Sequence, residues 1–491
     1  MERLSTAELL RFHLRRTPPG CTVGQAFWIV GLGEHELAVN LQYDRGIIVV
    51  SGDYRVPKST FDPRSHSSKA LAVDYADIAE YLKRSRIPYV DKVMDLLPCP
   101  HLECKLELRS YQRDALDAWL KVGARGVIVL PTGAGKTAIG VAAIAHLDTP
   151  TIVVVPTLDL VEQWRRYLEK EFAVQVGVYG GGEYRLEALT VSTYDSAYIR
   201  GEELGNRFGL VIFDEVHHLP STGYSHIAEV FACPCRLGLT ATYEREDGLH
   251  TDLPRLVGGK VFELGVRDLV GTHLSPFETE KVSVDLAPEE EAEYQRLYKV
   301  FRDYVELKGI PMSSPTDFTR FIMMTNKDPS ARKALIARNR ALGIALNSKS
   351  KISALREILS RNPNEPTIVF TAHNKLVHMI SAEFLVPCIT YLTPKDERTE
   401  ILDTFREGKY KAVVTSRVLD EGVDVPDATR AVILSGTGSS REFIQRLGRI
   451  LRKREGKKAK LIEVVSKKTS ETWMSWRRKR NLVEEKHDAP Q

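Results

Sequence analysis

The strongest constraint on the fold is a series of short, continuous apolar runs separated by stretches of helical composition. Five such runs lie in the first half of the chain: Gly126–Leu130, Thr151–Val155, Leu189–Thr193, Leu210–Phe213 and Arg236–Leu239. Runs that stay apolar along their whole length predict strands buried on both faces, and the intervening helices predict parallel pairing. We therefore expect this part of the chain to form a parallel sheet covered by helices.

The same pattern restarts in the second half of the chain. Its runs are Thr367–Phe370, Cys388–Tyr391, Ala412–Val414, Ala431–Leu434 and Lys460–Val464. The chain has 491 residues, which is more than one hydrophobic core usually supports. The sequence therefore predicts the α/β class, with two similar parallel-sheet domains in tandem.

Two smaller segments do not follow this pattern. Residues 38–100 alternate short strand-like runs with turns and contain one helix near Tyr75–Lys83, which predicts a small N-terminal α+β domain. Residues 276–348 are expected to form a helical insert, because apolar side chains recur there at helical spacing. The recurring residues are Tyr294, Leu297, Phe301 and Tyr304. The remaining boundaries are an unassigned extension at 1–37, the two large domains at 101–275 and 349–470, and a basic C-terminal tail at 471–491.

The composition excludes several classes of protein. The hydrophobic fraction is 43%, yet no stretch approaches the roughly 20 apolar residues of a membrane span. The N-terminus lacks the basic-then-apolar order of a secretory signal, and six cysteines are too few for a disulfide scaffold. We expect a cytoplasmic protein that acts without a membrane.

A glycine-rich loop follows the first predicted strand and opens a predicted helix, Thr137–Ala145. Backbone N–H groups of such a loop, together with the helix N-terminus, can wrap phosphate groups. The residues expected to bind a nucleotide are Thr132, Gly133, Ala134, Gly135, Lys136 and Thr137. Lys136 would neutralise the β- and γ-phosphates of ATP, and the Thr137 hydroxyl would bind Mg²⁺. Leu130 stands where such loops usually begin with glycine.

An acidic pair, Asp214 and Glu215, ends another predicted strand. Because the carboxyl ends of parallel strands meet at one edge of a sheet, both acids are expected to face the glycine-rich loop. Asp214 suits Mg²⁺ coordination, and Glu215 suits orientation of the attacking water. The same residues could instead cap a helix, but the loop with Lys136 lies one strand away.

A basic segment near the end of the chain carries the third element of this chemistry. Between Arg446 and Lys460 there are eight Lys or Arg residues and one acid. Three polar side chains fall on one helical face because they are spaced by four and three residues: Gln445, Arg449 and Arg452. An arginine supplied from the second domain would stabilise transition-state charge only when the cleft between the domains closes, which is how a motor couples hydrolysis to movement.

The order of these motifs resembles that of superfamily 2 helicases. The segments that resemble motifs I, Ia, II and III are, in that order, Gly133–Thr137, Pro156–Leu158, Asp214–His217 and Thr240–Thr242. The segments that resemble motifs IV, V and VI are Ile368–Thr371, Leu419–Pro426 and Gln445–Arg452. Within the superfamily the chain is most similar to the XPB family in its short archaeal form. The segments that carry this likeness are Arg245-Glu246-Asp247 (the RED motif), the insert at about 280–348 (the thumb), residues 38–100 (the damage-recognition domain) and Arg109–Gln112 (the Gln motif).

The resemblance implies two RecA-like domains and an ATP- and Mg²⁺-dependent 3′–5′ DNA helicase or duplex translocase of nucleotide excision repair and transcription. It also implies site residues. Arg109, Gln112, Gly422 and Asp424 would contact the nucleotide. Thr240, Thr242, Arg245, Glu246 and Asp247 would couple hydrolysis to DNA or separate its strands. We expect a monomeric motor with a protein partner such as an associated nuclease. The segment Trp473–Arg480 could contact that partner or DNA, or it could be a frayed basic tail without a function.

Three alternatives remain at this stage. Asp-Glu-x-His boxes also occur in RNA-remodelling ATPases. A nuclease is suggested by Glu103 and Lys105 with Asp91 and Asp95 upstream, but such short strings arise often by chance. A binding protein with a degenerate ATPase is disfavoured by three intact residues: Lys136, Glu215 and Arg449.

Overall fold

A computed structural model describes most of the chain. The described residues are 39–52, 54–245, 247–270, 272–273, 275–312, 315–416, 428–436 and 459–479. The chain divides into two compact units, residues 1–130 with 135–264 and residues 131–134 with 265–491. Within the described ranges, no helix combines the length and the apolar character that a bilayer crossing requires.

The first unit begins with a small mixed sheet and one helix. Its strands are β1 (Val39–Asp44), β2 (Ile47–Ser51), β3 (Thr60–Asp62), β4 (Ser67–Leu71) and β5 (Tyr89–Lys92), in the order β3-β4-β2-β1-β5. Helix α1 (Tyr75–Arg84) buries Ile78 and Leu82 against the alternate residues Val39 and Leu41 of β1. This alternation leaves one face of the sheet exposed, and it confirms the predicted α+β character.

The rest of the first unit is an eight-stranded sheet with the order β13-β6-β12-β11-β7-β10-β8-β9. The strands are β6 (Arg125–Val129), β7 (Thr151–Val155), β8 (Val176–Gly180), β9 (Glu183–Tyr184), β10 (Leu189–Thr193), β11 (Leu210–Asp214), β12 (Cys235–Thr240) and β13 (Lys260–Glu263). All pairs are parallel except β8 with β9. Every residue of β7, β8, β10, β11 and β12 is buried, which is why the sequence runs are apolar throughout.

In the described part of the chain, seven α-helices precede, connect or follow these strands. They are α2 (Ser110–Lys121), α3 (Lys136–Leu147), α4 (Leu158–Phe172), α5 (Tyr194–Leu204), α6 (Ser225–Val230), α7 (Leu253–Leu256) and α8 (Val266–Leu269), the last assigned to the second unit. The five predicted strands and the helix after the glycine-rich loop are confirmed to within two residues.

The small N-terminal sheet is packed firmly on the eight-stranded domain. The Tyr43 hydroxyl donates to the carbonyls of Glu202 (2.9 Å) and Val230 (3.1 Å), and the Asn206 side-chain amide donates to the Val93 carbonyl at 3.0 Å. Gly46 lies so close to Val230 that a Cβ atom there would come within 2.6 Å of a valine methyl group. The small N-terminal domain and the eight-stranded domain therefore form one packed body.

The second unit contains a parallel sheet with the order β14-β19-β18-β15-β17-β16. Its strands are β14 (Phe277–Val284), β15 (Thr367–Phe370), β16 (Cys388–Ile389), β17 (Ala412–Thr415), β18 (Arg430–Ile433) and β19 (Ala459–Ser466). The helices beside it are α12 (Lys349–Arg361), α13 (Asn374–Phe384), α14 (Lys395–Arg406) and α15 (Ser470–Lys479). The described residues thus confirm the predicted second sheet.

Three helices form the insert: α9 (Pro288–Leu307), α10 (Pro315–Met324) and α11 (Pro329–Leu346). The predicted stripe is its core, since Tyr294 and Leu297 pack on Ala337 and Ala341, and Phe301 and Tyr304 pack on Phe321.

Two segments differ from the expected division of the chain. The range 276–348 is not helical throughout, because β14 pairs with β19 along eight residues and belongs to the second sheet. The part of the predicted tail up to Lys479 belongs to α15, which packs on the same domain and buries Glu471 in an ion pair with Lys351, while 480–491 lie outside the described residues.

Candidate nucleotide-binding site

The glycine-rich loop joins β6 to α3 at the carboxyl edge of the first sheet. Gly133 and Gly135 have φ angles of +86° and +76°, a left-handed conformation that glycine adopts without strain. Gly135 is also the N-cap of α3 and gives it no side-chain cap, so the first N–H groups of the helix are not capped by that residue. Such a loop and helix start suit phosphate binding.

Gln112 contacts this loop from helix α2. Its side chain is buried, its Oε1 accepts from the Arg109 backbone N–H at 3.0 Å, and its Nε2 donates to the Gly135 carbonyl at 3.3 Å. Arg109 stands at the N-terminus of α2 with its guanidinium 3.3 Å from the Tyr111 hydroxyl. The predicted Gln motif is therefore adjacent to the loop.

Lys136 reaches across the loop toward the acidic box. Its Nζ lies 3.4 Å from the Leu130 carbonyl and 3.9 Å from Glu215 Oε1, and the side chain is only 10% exposed. Strand β12 separates β6 from β11, yet the two functional groups meet above their ends. A lysine and a carboxylate are thus held at the place where the phosphates of a nucleotide would enter.

Asp214 is fixed by a residue that the sequence did not single out. Its buried carboxylate accepts a hydrogen bond from the Trp164 indole N–H (Nε1 to Oδ2, 2.8 Å), and its other oxygen accepts from the Glu215 N–H at 3.0 Å. The Tyr194 hydroxyl donates to the Asp214 carbonyl at 3.1 Å. Trp164 lies on the apolar face of α4, so its sequence position indicates only a core residue.

Glu215 is held in an unusual backbone conformation. Its φ angle is +49°, which is uncommon for a residue with a side chain, and a short 3₁₀ turn over Val216–His218 follows it. The carboxylate lies 3.4 Å from His217 Nδ1 as well as near Lys136. Strained backbone of this kind is found at functional sites.

Motif III connects the box to its neighbours. The Thr240 hydroxyl is 3.0 Å from His217 Nδ1 and donates to the Thr242 carbonyl at 2.8 Å. The Thr240 carbonyl accepts from the Leu130 N–H at 2.9 Å, directly before the loop. Thr240 therefore contacts both His217 of the acidic box and Leu130, the residue before the glycine-rich loop.

Arg245 and Asp247 attach to the same cluster. The Arg245 guanidinium donates to the His217 carbonyl and forms two bonds to the Asp247 carboxylate, at 2.9 and 2.5 Å. That ion pair lowers the pKa of Asp247 to about 2. The Arg245 side chain is only 17% exposed, so it holds the backbone of the acidic box in place and is not a free surface cation.

The donor atoms present fit a Mg²⁺–nucleotide complex. Asp214 and Thr137 supply a carboxylate and a hydroxyl, the oxygen ligands that Mg²⁺ prefers. The Thr132 hydroxyl is buried and, among the described residues, has no hydrogen-bond partner, as expected for a loop that awaits a polar ligand. In the part of the chain that the structure describes, no cluster of three His, Cys, Asp or Glu could hold a metal alone. A Mg²⁺ ion here would depend on phosphate and water for its other ligands.

Several predicted site residues lie outside the described residues. These are Glu246, Gly422, Asp424, Gln445, Arg449 and Arg452. Their roles stay predictions.

Comparison with known proteins places these features in a family. Residues 41–93 match the xeroderma pigmentosum group B helicase damage recognition domain, residues 105–245 the res subunit of type III restriction enzymes, and residues 350–454 the helicase conserved C-terminal domain. The DNA 3′-5′ translocase XPB2 of Sulfurisphaera tokodaii is 47% identical over 441 residues, covering 90% of this chain and 100% of that protein. The chain belongs to the XPB family.

Other XPB proteins are longer. The DNA 3′-5′ helicase XPB of Mycobacterium tuberculosis is 32% identical across 77% of this chain and 64% of its own length. The XPB/SSL2 helicase/translocase subunit of general transcription and DNA repair factor IIH of Saccharomyces cerevisiae is 28% identical across 84% of this chain and 47% of its own length. XPB membership confirms the family resemblance inferred from the motifs.

Proposed function

We propose that this XPB-family chain is an ATP-driven 3′–5′ DNA helicase or duplex DNA translocase that opens or remodels DNA in nucleotide excision repair and in transcription. The observation that carries the proposal is the cluster in which Lys136 lies 3.9 Å from Glu215 beside the buried Asp214. Such a cluster is what ATP hydrolysis requires, and the names of the XPB relatives favour DNA over RNA as the track.

Each residue of the cluster would have a separate task. Lys136 neutralises charge on the terminal phosphates, while Asp214 and Thr137 hold Mg²⁺, which would offset charge that develops in the transition state. Glu215 orients the attacking water, and its contact with Lys136 would open when the phosphates take that place. Gln112 positions the loop through Gly135 and, together with Arg109, would contact the adenine.

Hydrolysis would be transmitted through the hydrogen bonds that surround His217. Thr240 holds the His217 ring, and Arg245 holds the His217 carbonyl. A shift of the acidic box on hydrolysis would therefore move motif III and the Arg245–Asp247 pair together. Arg449, Arg452 and Gln445 would complete the site from the second domain, with Gly422 and Asp424 contacting the nucleotide.

The DNA track is proposed to follow the carboxyl edge of the sheet beyond β7 and β8. There Leu158 and Tyr184 are 51% and 63% exposed, and Gly181 packs against Leu158. Exposed apolar and aromatic side chains at such an edge can contact the sugars and bases of a nucleic acid.

The decisive experiment measures ATP hydrolysis by the purified chain with duplex DNA, single-stranded DNA and RNA, beside displacement of a triplex-forming strand from duplex DNA. We expect DNA to stimulate hydrolysis and ATP to drive displacement, both abolished by Lys136→Ala. Preferential stimulation by RNA would favour an RNA-remodelling ATPase instead. We further propose that the chain works as a cytoplasmic monomer with a protein partner such as a nuclease, which sedimentation and co-purification would check.

A further inference from the structure

The helical insert carries a groove that ATP hydrolysis does not use. It lies between α9 and α11 and encloses about 390 Å³. The residues that line it are Arg296, Leu297, Val300, Pro329, Arg332, Lys333, Ile336, Ala337 and Arg340. Its volume falls in the range of about 300–1,000 Å³ that is typical of ligand-binding clefts, and its lining is partly apolar and partly cationic.

The floor of the groove is apolar. Leu297 and Ala337 are buried beneath it, while Ile336 is 46% exposed at its centre. An apolar side chain that covers Ile336 would remove its remaining exposed surface from water, which favours binding. The groove therefore offers an apolar ligand a defined place.

The rim of the groove is cationic. Helix α11 carries Arg332, Lys333, Arg338 and Arg340 and no Asp or Glu. Arg338 is used internally, with its guanidinium 4.4 Å from the centre of the Phe318 ring. Arg296 is paired with Glu293 on α9.

Of the other three rim cations, Arg340 adds to the effect of Arg296 in lowering the pKa of the Glu293 carboxyl, but it forms no direct ion pair with it. Among the described residues, no carboxylate oxygen lies within 4 Å of the side-chain nitrogens of Arg332, Lys333 or Arg340. Arg332 and Arg340 are eight residues apart on one helix, so they lie about 12 Å apart along its axis, on either side of Ile336.

From this arrangement we infer that the groove binds an acidic amphipathic helix of a partner protein. Leucine-type side chains on one face of that helix would enter between Leu297 and Ile336, and its flanking carboxylates would pair with Arg332 and Arg340. Duplex DNA would use the cations but would leave the apolar floor wet, because its backbone presents phosphates without apolar side chains. This inference deepens, and rests on, the proposal that the motor works with a protein partner.

The test uses the full chain and two fluorescein-labelled synthetic peptides, read by fluorescence anisotropy. One peptide places leucines at three- and four-residue steps between glutamates, and the other has the same composition in scrambled order. We expect the amphipathic peptide to bind at least about tenfold more tightly than the scrambled one, since only it can fill the floor and reach the rim together.

Matched variants locate the site. Ile336→Glu and the double variant Arg332→Glu/Arg340→Glu should each weaken peptide binding at least about tenfold. Ile322→Glu is the control, because Ile322 is 42% exposed on α10 of the same insert and does not line the groove. All four substituted positions are exposed, and an unchanged thermal midpoint will verify folding.

Three results would overturn the inference: equal binding of the two peptides, binding by neither, or a loss of duplex DNA affinity in Ile336→Glu that equals its loss of peptide affinity. Equal binding of the two peptides would indicate a site that recognises only charge. Equal losses of DNA and peptide affinity would indicate that the groove is a DNA-binding surface. DNA-stimulated ATP hydrolysis should stay within about twofold of the parent in Ile336→Glu, because Ile336 is not one of the residues to which we assign a part in ATP hydrolysis. If the parent chain itself failed to hydrolyse ATP, the proposed function would fail while the peptide measurement would still be interpretable.

Discussion

The indole N–H of Trp164 donates to the carboxylate of Asp214 at 2.8 Å, and both side chains are buried. This bond holds in place the carboxylate that we propose binds Mg²⁺. The geometry of the acidic box thus depends on a residue 50 positions earlier in the chain.

We expect Trp164→Phe to lower kcat by about ten- to a hundredfold, because a hydrogen bond to a charged group contributes about 1.5–3 kcal/mol. Steady-state ATP hydrolysis with saturating DNA measures this effect. Trp119→Phe is the control, since the Trp119 indole is also buried and hydrogen-bonded but donates to the Arg236 carbonyl, away from the box. Equal losses of kcat in the two variants would argue against a specific role for Trp164.

Lys136→Ala should reduce ATP turnover by about a thousandfold or more, while DNA binding stays, because the role proposed for the lysine is to neutralise phosphate charge. Arg449→Ala should do likewise and keep nucleotide affinity, since its predicted role is in the transition state. Turnover by rapid phosphate release and DNA affinity by anisotropy are the measurements. Unchanged turnover in either variant would contradict the role assigned to that residue.

Substituting Gly135 in the loop, beside a control glycine with a similar φ angle, distinguishes the effect of backbone strain from that of a steric clash with Gln112. Gly135→Ala would place a methyl group 2.5 Å from Gln112 Nε2 at a φ of +76°, so ATP affinity should fall at least about tenfold. Gly182→Ala is the matched control, because Gly182 has a φ of +92° and nothing within 4 Å of an added Cβ. Nucleotide affinity by calorimetry should change only in the first variant, and equal changes would rule out the contact with Gln112 as the cause.

The parts of this structure that the sequence predicted are those set by local patterns. Strands β7 and β10 are buried on both faces, so their apolar runs marked them to the residue. Strand β14 was missed because it lies at the sheet edge, where Glu278, Glu280 and Lys281 interrupt any apolar run. Exposed positions of an edge strand tolerate charged residues, and these residues remove the apolar pattern by which a strand is predicted from sequence.

The sequence predicted the parts of the candidate site that depend on local patterns, but not the contacts between distant segments. Asp214 and Glu215 stand at the end of β11, and Lys136 follows β6 after a short loop, so parallel pairing brings all three to one edge. The contacts of Trp164 with Asp214 and of Arg245 with the His217 carbonyl join distant segments, and no local spacing encodes them.

The Arg245–Asp247 pair predicts a pH dependence. The pKa of Asp247 is lowered to about 2, so its contribution to stability is fully present above its ordinary value near 3.8 and is lost as the pH falls through about 2. The Asp247→Asn variant should have a slightly lower thermal midpoint than the parent at pH 7, and the difference should shrink below pH 4. The effect is small because Asp247 is half exposed. A difference that grows on acidification would contradict this assignment.

The buried pair of Lys351 and Glu471 joins α12 to the C-terminal helix α15, and both side chains are fully buried, with nitrogen-to-oxygen distances of 2.6 and 2.7 Å. Lys351 also donates to the Leu434 carbonyl at 2.6 Å. Lys351→Met should lower the free energy of unfolding of the second domain by about 3–5 kcal/mol, because it leaves Glu471 buried without its cation.

Scanning calorimetry of the full chain measures this loss. The double variant Lys351→Met/Glu471→Met should recover a large part of the stability, because it removes the isolated charge that Lys351→Met leaves behind. The exposed pair Lys409 and Glu407 supplies the control, since Lys409→Met breaks an ion pair of 2.7 Å at the surface, where water screens the charges, and should leave the thermal midpoint nearly unchanged. A double variant no more stable than Lys351→Met would show that α15 is held by its apolar packing and by the bond from Ser475 to Glu463, rather than by the ion pair.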